Sequence, residues 1–590
     1  MRILVLTNFY PPHHIGGYEM RCREMVDGLR RRGHEVRVLT GRYDSGQNGD
    51  RLIPRNESVR SSTNAQFLTD TATRPDRPVP VPVLPSEPQV SRALHLSWGP
   101  PYPPEDLPGL LAAEAADRQT LAELLADFQP DAIDIWGMEF ASQSLVAAIL
   151  DSPAPVILTL DDNWLLDAWS RDPLCNLAAV AGRLNVALPD GIRRLCCLVG
   201  SRPAVAERPV CFVAKALADY YAGQGLACSN ARVRPGGIDV STPTHLPPGP
   251  PPPPFVILSA GQLTPSRGQA DLVTAAGQAA ADPRCPLTIV VRIVGGGSGV
   301  YVDDLRQLAA KITSHKCRFE FVGPVPPDRM AGFYAGAHLF AFTSRRPFEG
   351  LPRVMMEAMA AGLPIVATNT GGQRDILADG RWGPLLPPAE PGKLKETILD
   401  AILNYSTWRQ RAAQARVDAL KRFDLDSCID AHAADLAEEE KGVRSLLCEA
   451  PSGPSRQKAS DPFFSAADLD SFTRALGDAA EQAAAALAAA ADPDYAWQLG
   501  VVLKRTGRLA EAERLLGRLH ELHGRESAHT RRASFHLAEL AMLAGRWPES
   551  VELLTACLAV APDHRKATFD LDHAHRRVLP DHLTGLRKPY

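Results

Sequence analysis

Two glutamates in the middle of the chain have a spacing that suits chemistry at a phosphate-linked group. Glu349 and Glu357 lie eight positions apart, and the residues between them predict a helix that begins near Pro352. A proline suits the first turn of a helix, Gly362 suits its C-terminal cap, and Pro364 prevents its continuation. The free N–H groups of a helix start bind anions. The segment therefore predicts a site where a diphosphate lies close to two carboxylates.

Further segments place glycines and polar residues in loops after short apolar runs. In chain order they are residues 11–17 (PPHHIGG), 234–239 (RPGGID), 261–268 (GQLTPSRG), 293–297 (IVGGG) and 321–323 (FVG). Glycine lets the backbone approach a ligand closely, and an arginine such as Arg267 neutralises phosphate charge. The run at 295–299 lacks the Gly-x-Gly-x-x-Gly spacing, so we do not predict a dinucleotide cofactor.

Taken in order, these segments resemble the retaining GT-B glycosyltransferases that use nucleotide-sugar donors, the group often called family four. The resemblance covers most of residues 1–420, including Ser344 at a position where that family has a serine. It implies two Rossmann-like, doubly wound α/β domains that face one cleft. It also implies catalytic roles for Glu349 and Asp161, and donor binding by Gly16, Gly17, Gln262, Arg267, Gly350, Leu351, Pro352 and Glu357.

Two places depart from the family's pattern. Gln262 and Arg267 stand where that family usually has an arginine and a lysine, so the diphosphate charge would be less fully neutralised. Asp161 stands where a histidine is common. A carboxylate accepts hydrogen bonds from a sugar hydroxyl, but it cannot donate one as an imidazolium does.

The chemistry implied by the resemblance is sugar transfer with retention of the anomeric configuration. Glu349 would lie near the transferred sugar, Glu357 would bond the donor ribose, and the leaving diphosphate would take the acceptor proton. We expect no metal and no cofactor beyond the nucleotide-sugar co-substrate. Two alternatives stay open: an inactive GT-B scaffold that binds proteins, and a sugar-nucleotide epimerase.

The pattern of strands and helices predicts the domain organisation. We expect a first Rossmann-like acceptor domain over residues 1–242, with a proline-rich insertion at about 44–108, and a donor domain over 255–420. The polyproline run at 243–254 predicts the linker between them. A return helix at 421–445, a polar linker at 446–464 and an all-helical domain at 465–590 would complete the chain.

The helical end contains a repeat. Leu499, Gly500, Gly507 and Ala512 recur 38 residues later as Leu537, Ala538, Gly545 and Ser550. This pattern resembles the tetratricopeptide repeat, whose paired helices bind other proteins. We therefore expect a protein partner or self-association there, and few contacts across the 446–464 boundary.

Composition excludes several classes of protein. The chain has 590 residues and a formal net charge of −4, which gives no basic field for nucleic acid. Its apolar runs are too short for a membrane span, and its 11 cysteines contain no Cys-x-x-Cys pair. We expect a cytoplasmic protein with an acceptor that is a glycan, a lipid or a small molecule.

Overall fold

The computed structural model of the chain describes residues 1–12, 17–42, 87–96, 107–150, 152, 154–166, 177, 180–193, 208–240, 253–297, 299–346, 348–449, 466–486, 492–522, 528–560, 567 and 571. Gly16, most of the predicted insertion and the polyproline linker up to residue 252 lie outside the described residues, as do residues 450–465.

The first α/β domain contains a parallel sheet of seven described strands in the order β3-β2-β1-β4-β5-β6-β7. The order reverses between β1 and β4, as in a Rossmann-type sheet. The central strands are buried on both faces, which explains their continuous apolar sequences. The strands are β1 (Arg2–Thr7), β2 (Glu35–Gly41), β3 (Val90–Leu94), β4 (Ala132–Ile135), β5 (Val156–Leu160), β6 (Val210–Phe212) and β7 (Ala231–Val233).

The second α/β domain repeats this plan with a parallel sheet of six described strands in the order β10-β9-β8-β11-β12-β13. Its order reverses between β8 and β11. The predicted pair of doubly wound domains is therefore confirmed. The strands are β8 (Phe255–Ala260), β9 (Ile289–Val294), β10 (Cys317–Gly323), β11 (Leu339–Phe342), β12 (Ile365–Thr368) and β13 (Leu385–Leu386).

Helices connect the strands and cover both sheets. In the first domain they include α1 (Gly17–Arg31), α2 (Leu107–Phe128), α3 (Gln143–Leu150) and α4 (Lys215–Gly223). In the second they include α5 (Gln269–Ala281), α6 (Gly299–Ile312), α7 (Met330–Ala335), α8 (Arg353–Ala360), α9 (Gln373–Ile376), α10 (Pro391–Leu403) and α11 (Tyr405–Arg422).

The proline content of residues 44–108 argues against a long helix or a central strand, and the strand found there is an edge strand. Strand β3 (Val90–Leu94) lies inside the predicted insertion and pairs with β2 at the edge of the first sheet. Pro88 lies two residues before it, and an edge position tolerates neighbouring prolines because one side of the strand needs no partner. The end of the proline-rich segment thus belongs to the domain's sheet.

A long helix, α12 (Leu425–Glu449), returns from the second domain to the first. His432 lies 2.7 Å from the Asp134 carboxylate in the buried centre of the first sheet. Arg234 donates two hydrogen bonds to Asp435, at 2.5 and 2.7 Å. These buried charge pairs attach α12 to the first domain.

The C-terminal region is helical, as predicted. Gly507 and Gly545 have φ of 80° and 72° and follow the helices that end at Arg505 and Leu543. The repeated glycines therefore end equivalent helices with a left-handed residue. Gly500 lies against Leu516, where a Cβ would be 2.7 Å from the leucine side chain. The helices are α13 (Ala466–Ala486), α14 (Pro493–Arg505), α15 (Leu509–Leu522), α16 (Ala528–Leu543) and α17 (Trp547–Val560).

This helical region packs directly on the first α/β domain. Leu469, Phe472 and Leu476 of α13 share one buried apolar cluster with Leu107 and Leu111 of α2. We expected few contacts across the polar boundary, and that expectation is wrong for these helices. The polar residues 446–464 mark a connection along the chain, but the elements on either side of it bury a common core.

A second contact fixes the start of the repeat. Arg183 of the first domain donates to Asp492 at 2.8 Å and lies over the Tyr495 ring, 3.5 Å from its centre. Asp492 in turn caps α14 by accepting a hydrogen bond from the Tyr495 backbone N–H. The first domain therefore holds the N-terminus of α14.

No helix among the described residues is both long and apolar enough to cross a membrane.

Candidate active site

The candidate site lies at the carboxyl ends of the strands where the second sheet reverses its order. Strand β8 leads into residues 261–268, and β11 leads into residues 343–352. In open α/β sheets the loops at such a switch point diverge and leave a crevice in which ligands bind. The strand order thus brings together the segment of Arg267 and the segment of Glu349, which are 82 residues apart in sequence.

The backbone of Glu349 is fixed by a neighbouring glycine turn. Its N–H donates to the Thr370 carbonyl at 2.8 Å, and its carbonyl accepts from the Gly372 N–H at 3.0 Å. A Cβ at position 372 would lie 1.9 Å from the Gly350 carbonyl oxygen. Glycine is therefore required at 372, because the two loops are in contact through their backbones.

The Glu349 carboxylate is buried and receives several donors. Its Oε1 accepts from the Ser344 hydroxyl and from an Arg267 N–H, both at 2.6 Å. Arg346 lies slightly farther away, with its Nε 3.9 Å from the same oxygen. Charge-assisted bonds of this kind hold a carboxylate in one orientation. The structure thus brings Glu349, Arg267 and Ser344 into one cluster.

The segment that contains Gln262 and Arg267 also packs through its backbone. Gly268 has φ of 67°, and a Cβ there would lie 2.0 Å from the Thr343 carbonyl oxygen. A Cβ on Gly295 would lie 1.8 Å from the Gly261 carbonyl oxygen. The glycine run after β9 therefore serves close packing between loops. Gln262 itself has an exposed side chain at the end of β8.

The helix α8 begins at Arg353, directly after Pro352. We predicted Pro352 in the first turn of this helix, but it is the residue directly before the helix. It supplies no side-chain cap. Glu357 lies in the second turn, where the Tyr334 hydroxyl donates to its Oε2 at 2.7 Å. Burial, and then the Glu357 carboxylate, hold the pKa of the Tyr334 phenol well above its usual value. Tyr334 therefore stays a hydrogen-bond donor to Glu357.

Asp161 faces this segment from the first domain. It follows β5, and its Oδ1 accepts from Arg21 at 2.6 Å. Burial raises the pKa of Asp161 to about 6, although Arg21 opposes the shift. A Cβ at position 350 would lie 2.1 Å from the Asp161 carbonyl oxygen, so Gly350 is in backbone contact with Asp161. The predicted residues of the two domains therefore meet next to Glu349.

Four site residues were not predicted from the sequence: Arg21, Glu24, Arg353 and Tyr334. Arg21 and Glu24 lie on α1, and Arg353 is the first residue of α8. The sequence did carry a signal for Arg21: it lies beside the apolar stripe of α1, on a face that the helix must bury. The partner of each residue is distant in sequence, which is why spacing did not reveal the pairs.

Other predicted donor-binding residues are close to these groups. Gly17 approaches Arg353, since a Cβ on Gly17 would lie 3.1 Å from the arginine Cδ. Leu351 packs between the apolar clusters of the two domains. Gly16 lies outside the described residues.

A cluster of metal-binding residue types lies elsewhere, under α12. Cys211, His432 and Asp435 are buried close together. The Asp134 carboxylate raises the pKa of His432 to about 10, although burial acts in the opposite direction, so this imidazole is protonated and has no lone pair for a metal. Asp435 is already paired with Arg234. These residues act as the attachment of α12.

Family comparisons address each α/β domain separately. Residues 16–196 match the model of the glycosyl transferase 4-like domain, and residues 254–404 match that of the glycosyl transferases group 1. The two α/β domains are glycosyltransferase domains. The predicted resemblance is confirmed at this level.

Curated relatives of these glycosyltransferase domains are similar over part of their length. The D-inositol 3-phosphate glycosyltransferase of Frankia alni is 34% identical over 173 residues, which are 28% of this chain and 41% of that protein. A GDP-mannose-dependent α-(1-6)-phosphatidylinositol monomannoside mannosyltransferase of Mycobacterium tuberculosis is 31% identical over 171 residues, 26% of this chain and 39% of that protein. The chain thus matches about two fifths of the length of these relatives.

Two solved structures are similar at lower identity. Anabaena HepE in complex with UDP is 20% identical, with a TM-score of 0.47, and the match covers 74% of this chain and 100% of that one. Sucrose-phosphate synthase from Thermosynechococcus elongatus is 16% identical, with a TM-score of 0.48 over 76% of this chain and 100% of that one. The assignment of the fold rests on the two strand orders described above.

Proposed function

We propose that this protein transfers a sugar from a nucleoside-diphosphate sugar to an acceptor hydroxyl, with retention of the anomeric configuration and without a metal ion. The observation that carries the proposal is the environment of Glu349. A buried carboxylate held by Ser344 and Arg267, one residue from the point where the two domains meet, is an arrangement for orienting a polar ligand. Core packing alone does not call for it.

The donor diphosphate would lie between the start of α8 and Arg267. The first N–H groups of α8 have no side-chain cap from Pro352, and a helix N-terminus attracts anions. Arg267 would add a guanidinium to the phosphate oxygens. Glu357 would accept hydrogen bonds from the donor ribose through the oxygen that Tyr334 leaves available.

In the reaction, the bond from the anomeric carbon to the diphosphate oxygen breaks, and a bond to the acceptor oxygen forms on the same face of the sugar. The acceptor proton passes to the departing diphosphate. Glu349 and Asp161 would orient the sugar, with Asp161 accepting a hydrogen bond from a hydroxyl. Catalysis then rests on positioning and on stabilising the charge of the leaving group.

The relatives indicate which substrates to test first. Their names include D-inositol 3-phosphate as acceptor and GDP-mannose as donor, and one similar structure holds UDP. We propose that the acceptor binds to the first domain, because the buried Asp161 of that domain lies beside Gly350 and next to Glu349.

The experiment is incubation of the purified full chain with UDP-glucose, UDP-N-acetylglucosamine and GDP-mannose in the presence of EDTA, with and without D-inositol 3-phosphate. Release of nucleoside diphosphate together with a glycosylated product would support transfer. An isomerised donor would indicate an epimerase. Binding of UDP or GDP without turnover of any donor would indicate a scaffold, and either result would contradict the proposal.

We infer that α14–α17 form two tetratricopeptide-like units that bind a protein partner or a second copy of this chain. The equivalent turns at Gly507 and Gly545 and the close approach of Gly500 to Leu516 support the repeat. Size-exclusion chromatography with light scattering tests self-association, and a pull-down with the full chain as bait tests a partner. A monomer that captures no protein would contradict this inference.

A further inference from the structure

A charged pair joins the two α/β domains at the start of α8. Glu24 belongs to α1 of the first domain, and Arg353 is the first residue of α8 in the second. The Arg353 guanidinium donates two hydrogen bonds to the Glu24 carboxylate: Nη1 to Oε2 at 2.5 Å and Nη2 to Oε1 at 3.0 Å. Two parallel bonds between planar groups fix their relative orientation as well as their distance. The pair therefore sets how α8 faces α1.

Arg353 also touches both ends of the candidate donor site. Its Cδ lies 3.1 Å from where a Cβ on Gly17 would be, so its aliphatic part is packed against the start of α1 in the first domain. Its Nε lies 3.8 Å from Oε1 of Glu357. The two side chains of the pair are 28% and 22% exposed, so solvent screens the pair only in part.

We propose that Glu24 and Arg353 are positioning residues for the donor site: together they hold the N-terminus of α8 against Gly17, the first residue of α1, in the geometry that donor transfer requires. The inference rests on the proposed function. A helix N-terminus binds phosphate through N–H groups of fixed direction, and misplacement by about 1 Å can cost on the order of 10²-fold in rate.

Other contacts between the domains do not depend on this pair. Tyr220 and Phe348 stack with ring centres 4.9 Å apart. Asp375 of the second domain accepts from the backbone N–H groups of Lys215 and Ala216, each at 3.0 Å, and thereby caps α4 of the first domain. Loss of the Glu24–Arg353 pair should therefore shift α8 locally while the two domains stay associated.

The test compares Glu24→Gln, Arg353→Gln and the double variant with the wild-type chain in donor turnover. Asp27→Asn is the matched control, because it removes a carboxylate from the same helix whose partners, Arg23 and Arg30, are on that helix too. We expect Glu24→Gln to lower kcat about 10- to 100-fold with the melting temperature and the donor KM nearly unchanged. Arg353→Gln should lower kcat as much and also raise KM, since it loses the charge beside Glu357. The double variant should be no worse than Arg353→Gln, and Asp27→Asn should stay within about twofold of wild type.

A second readout works even if no donor is turned over. Amide hydrogen exchange in residues 353–357 reports the order of the first turn of α8, and calorimetry with UDP and GDP reports nucleotide binding. Faster exchange in Glu24→Gln at an unchanged melting temperature supports the positioning role, whether or not donor turnover is detected. The positioning role would be overturned if Glu24→Gln kept wild-type amide exchange together with wild-type kcat or nucleotide affinity. It would also be overturned if the losses of kcat in the two single variants simply multiplied in the double variant.

Discussion

The two α/β domains share one strand order but contribute to the candidate site in different ways. The second domain supplies loops that are short in sequence and packed through glycine backbone, at 261–268 and at 348–352. The first supplies single charged side chains from separate elements: Arg21 and Glu24 from α1, and Asp161 after β5. The difference shows that the second domain's half of the site follows from a local sequence motif, whereas the first domain's half is assembled only when the chain folds.

The two halves also differ in their electrostatics. In the second domain Glu349 lies among a hydroxyl donor and a guanidinium, each 2.6 Å away. In the first domain burial raises the pKa of Asp161 to about 6 in spite of Arg21. The first domain therefore holds a carboxyl group that titrates close to physiological pH, and the following variants test this contrast.

The largest effect is expected from the carboxylate of the local motif. Glu349→Gln should lower kcat by about 10³-fold, because it removes a fixed charge at the reacting sugar. The melting temperature should change little, since the amide can still accept from Ser344 and Arg267. Turnover assays and thermal unfolding measured on the same preparation check this. Glu390→Gln, an exposed carboxylate of the same domain paired with Lys393, is the control. A well-folded Glu349→Gln enzyme with wild-type kcat would remove Glu349 from the mechanism.

Asp161→Asn should have a smaller effect with a distinct pH signature. In the wild type, kcat/KM should rise as the pH passes through about 6, because Asp161 then loses its proton and accepts hydrogen bonds as a carboxylate. The variant should lose this limb of the profile and about 10²-fold in rate at pH 7.5. Asp219→Asn, an exposed carboxylate paired with Lys215, should keep the limb.

The same pKa shift predicts a change in stability. The folded state binds the Asp161 proton more tightly than the unfolded state, so this group's contribution to the free energy of unfolding falls as the pH rises from 3.8 to about 6. Denaturant unfolding at several pH values should show a shallower decline in Asp161→Asn. Parallel curves for wild type and variant would show that Asp161 does not titrate in this range.

Tyr334→Phe tests how Glu357 is held within the second domain. The variant loses the hydrogen bond to Oε2, and a bond to a charged group contributes about 1.5–3 kcal/mol, so the donor KM should rise about tenfold with kcat nearly constant. Tyr405→Phe provides the control, because that phenol is packed against Phe255 and His338. Equal KM values for the Tyr334 variant and the wild type would mean that Glu357 does not bind the donor in this orientation.

The smallest effect is expected from restoring a cation to the local motif. Gln262 is exposed at the end of β8, so Gln262→Arg should fit without strain and tighten UDP or GDP binding by about 1 kcal/mol, roughly fivefold. Isothermal titration at two salt concentrations measures it, with a larger gain at low salt. Unchanged affinity at both concentrations would place position 262 away from the phosphates.

The sequence allowed the second domain's half of the site to be predicted because its determinants are local. Glu349, the start of α8 and Glu357 lie close together in the chain, and the parallel sheet brings the loop of Arg267 next to them. The pairs Arg21–Asp161 and Glu24–Arg353 join residues 140 and 329 positions apart, and no spacing rule reaches that far. Tyr334 was missed for a similar reason: it lies on a helix that carries no motif.

The rest of the fold shows the same limit. Buried strands such as β5 and β8 are continuous apolar runs and were predicted from their residues. Strand β3 was not, because the prolines that precede it argue against a central strand, whereas the strand lies at the edge of the sheet, where neighbouring prolines are tolerated. The packing of α13 on α2 depends on which apolar helix faces contact each other. Amino-acid composition and hydrophobic periodicity do not specify this pairing.

Sugar transfer with retention and without a metal ion can be tested in one experiment that follows the anomeric proton during turnover. Proton NMR of the full chain with an α-linked donor, GDP-mannose or UDP-glucose, and an acceptor, in excess EDTA, reports both the configuration of the first product and the need for a metal. We predict an α-linked product that forms at the same rate with and without EDTA. A β-linked first product, or turnover that stops in EDTA and returns with Mg²⁺ or Mn²⁺, would contradict it.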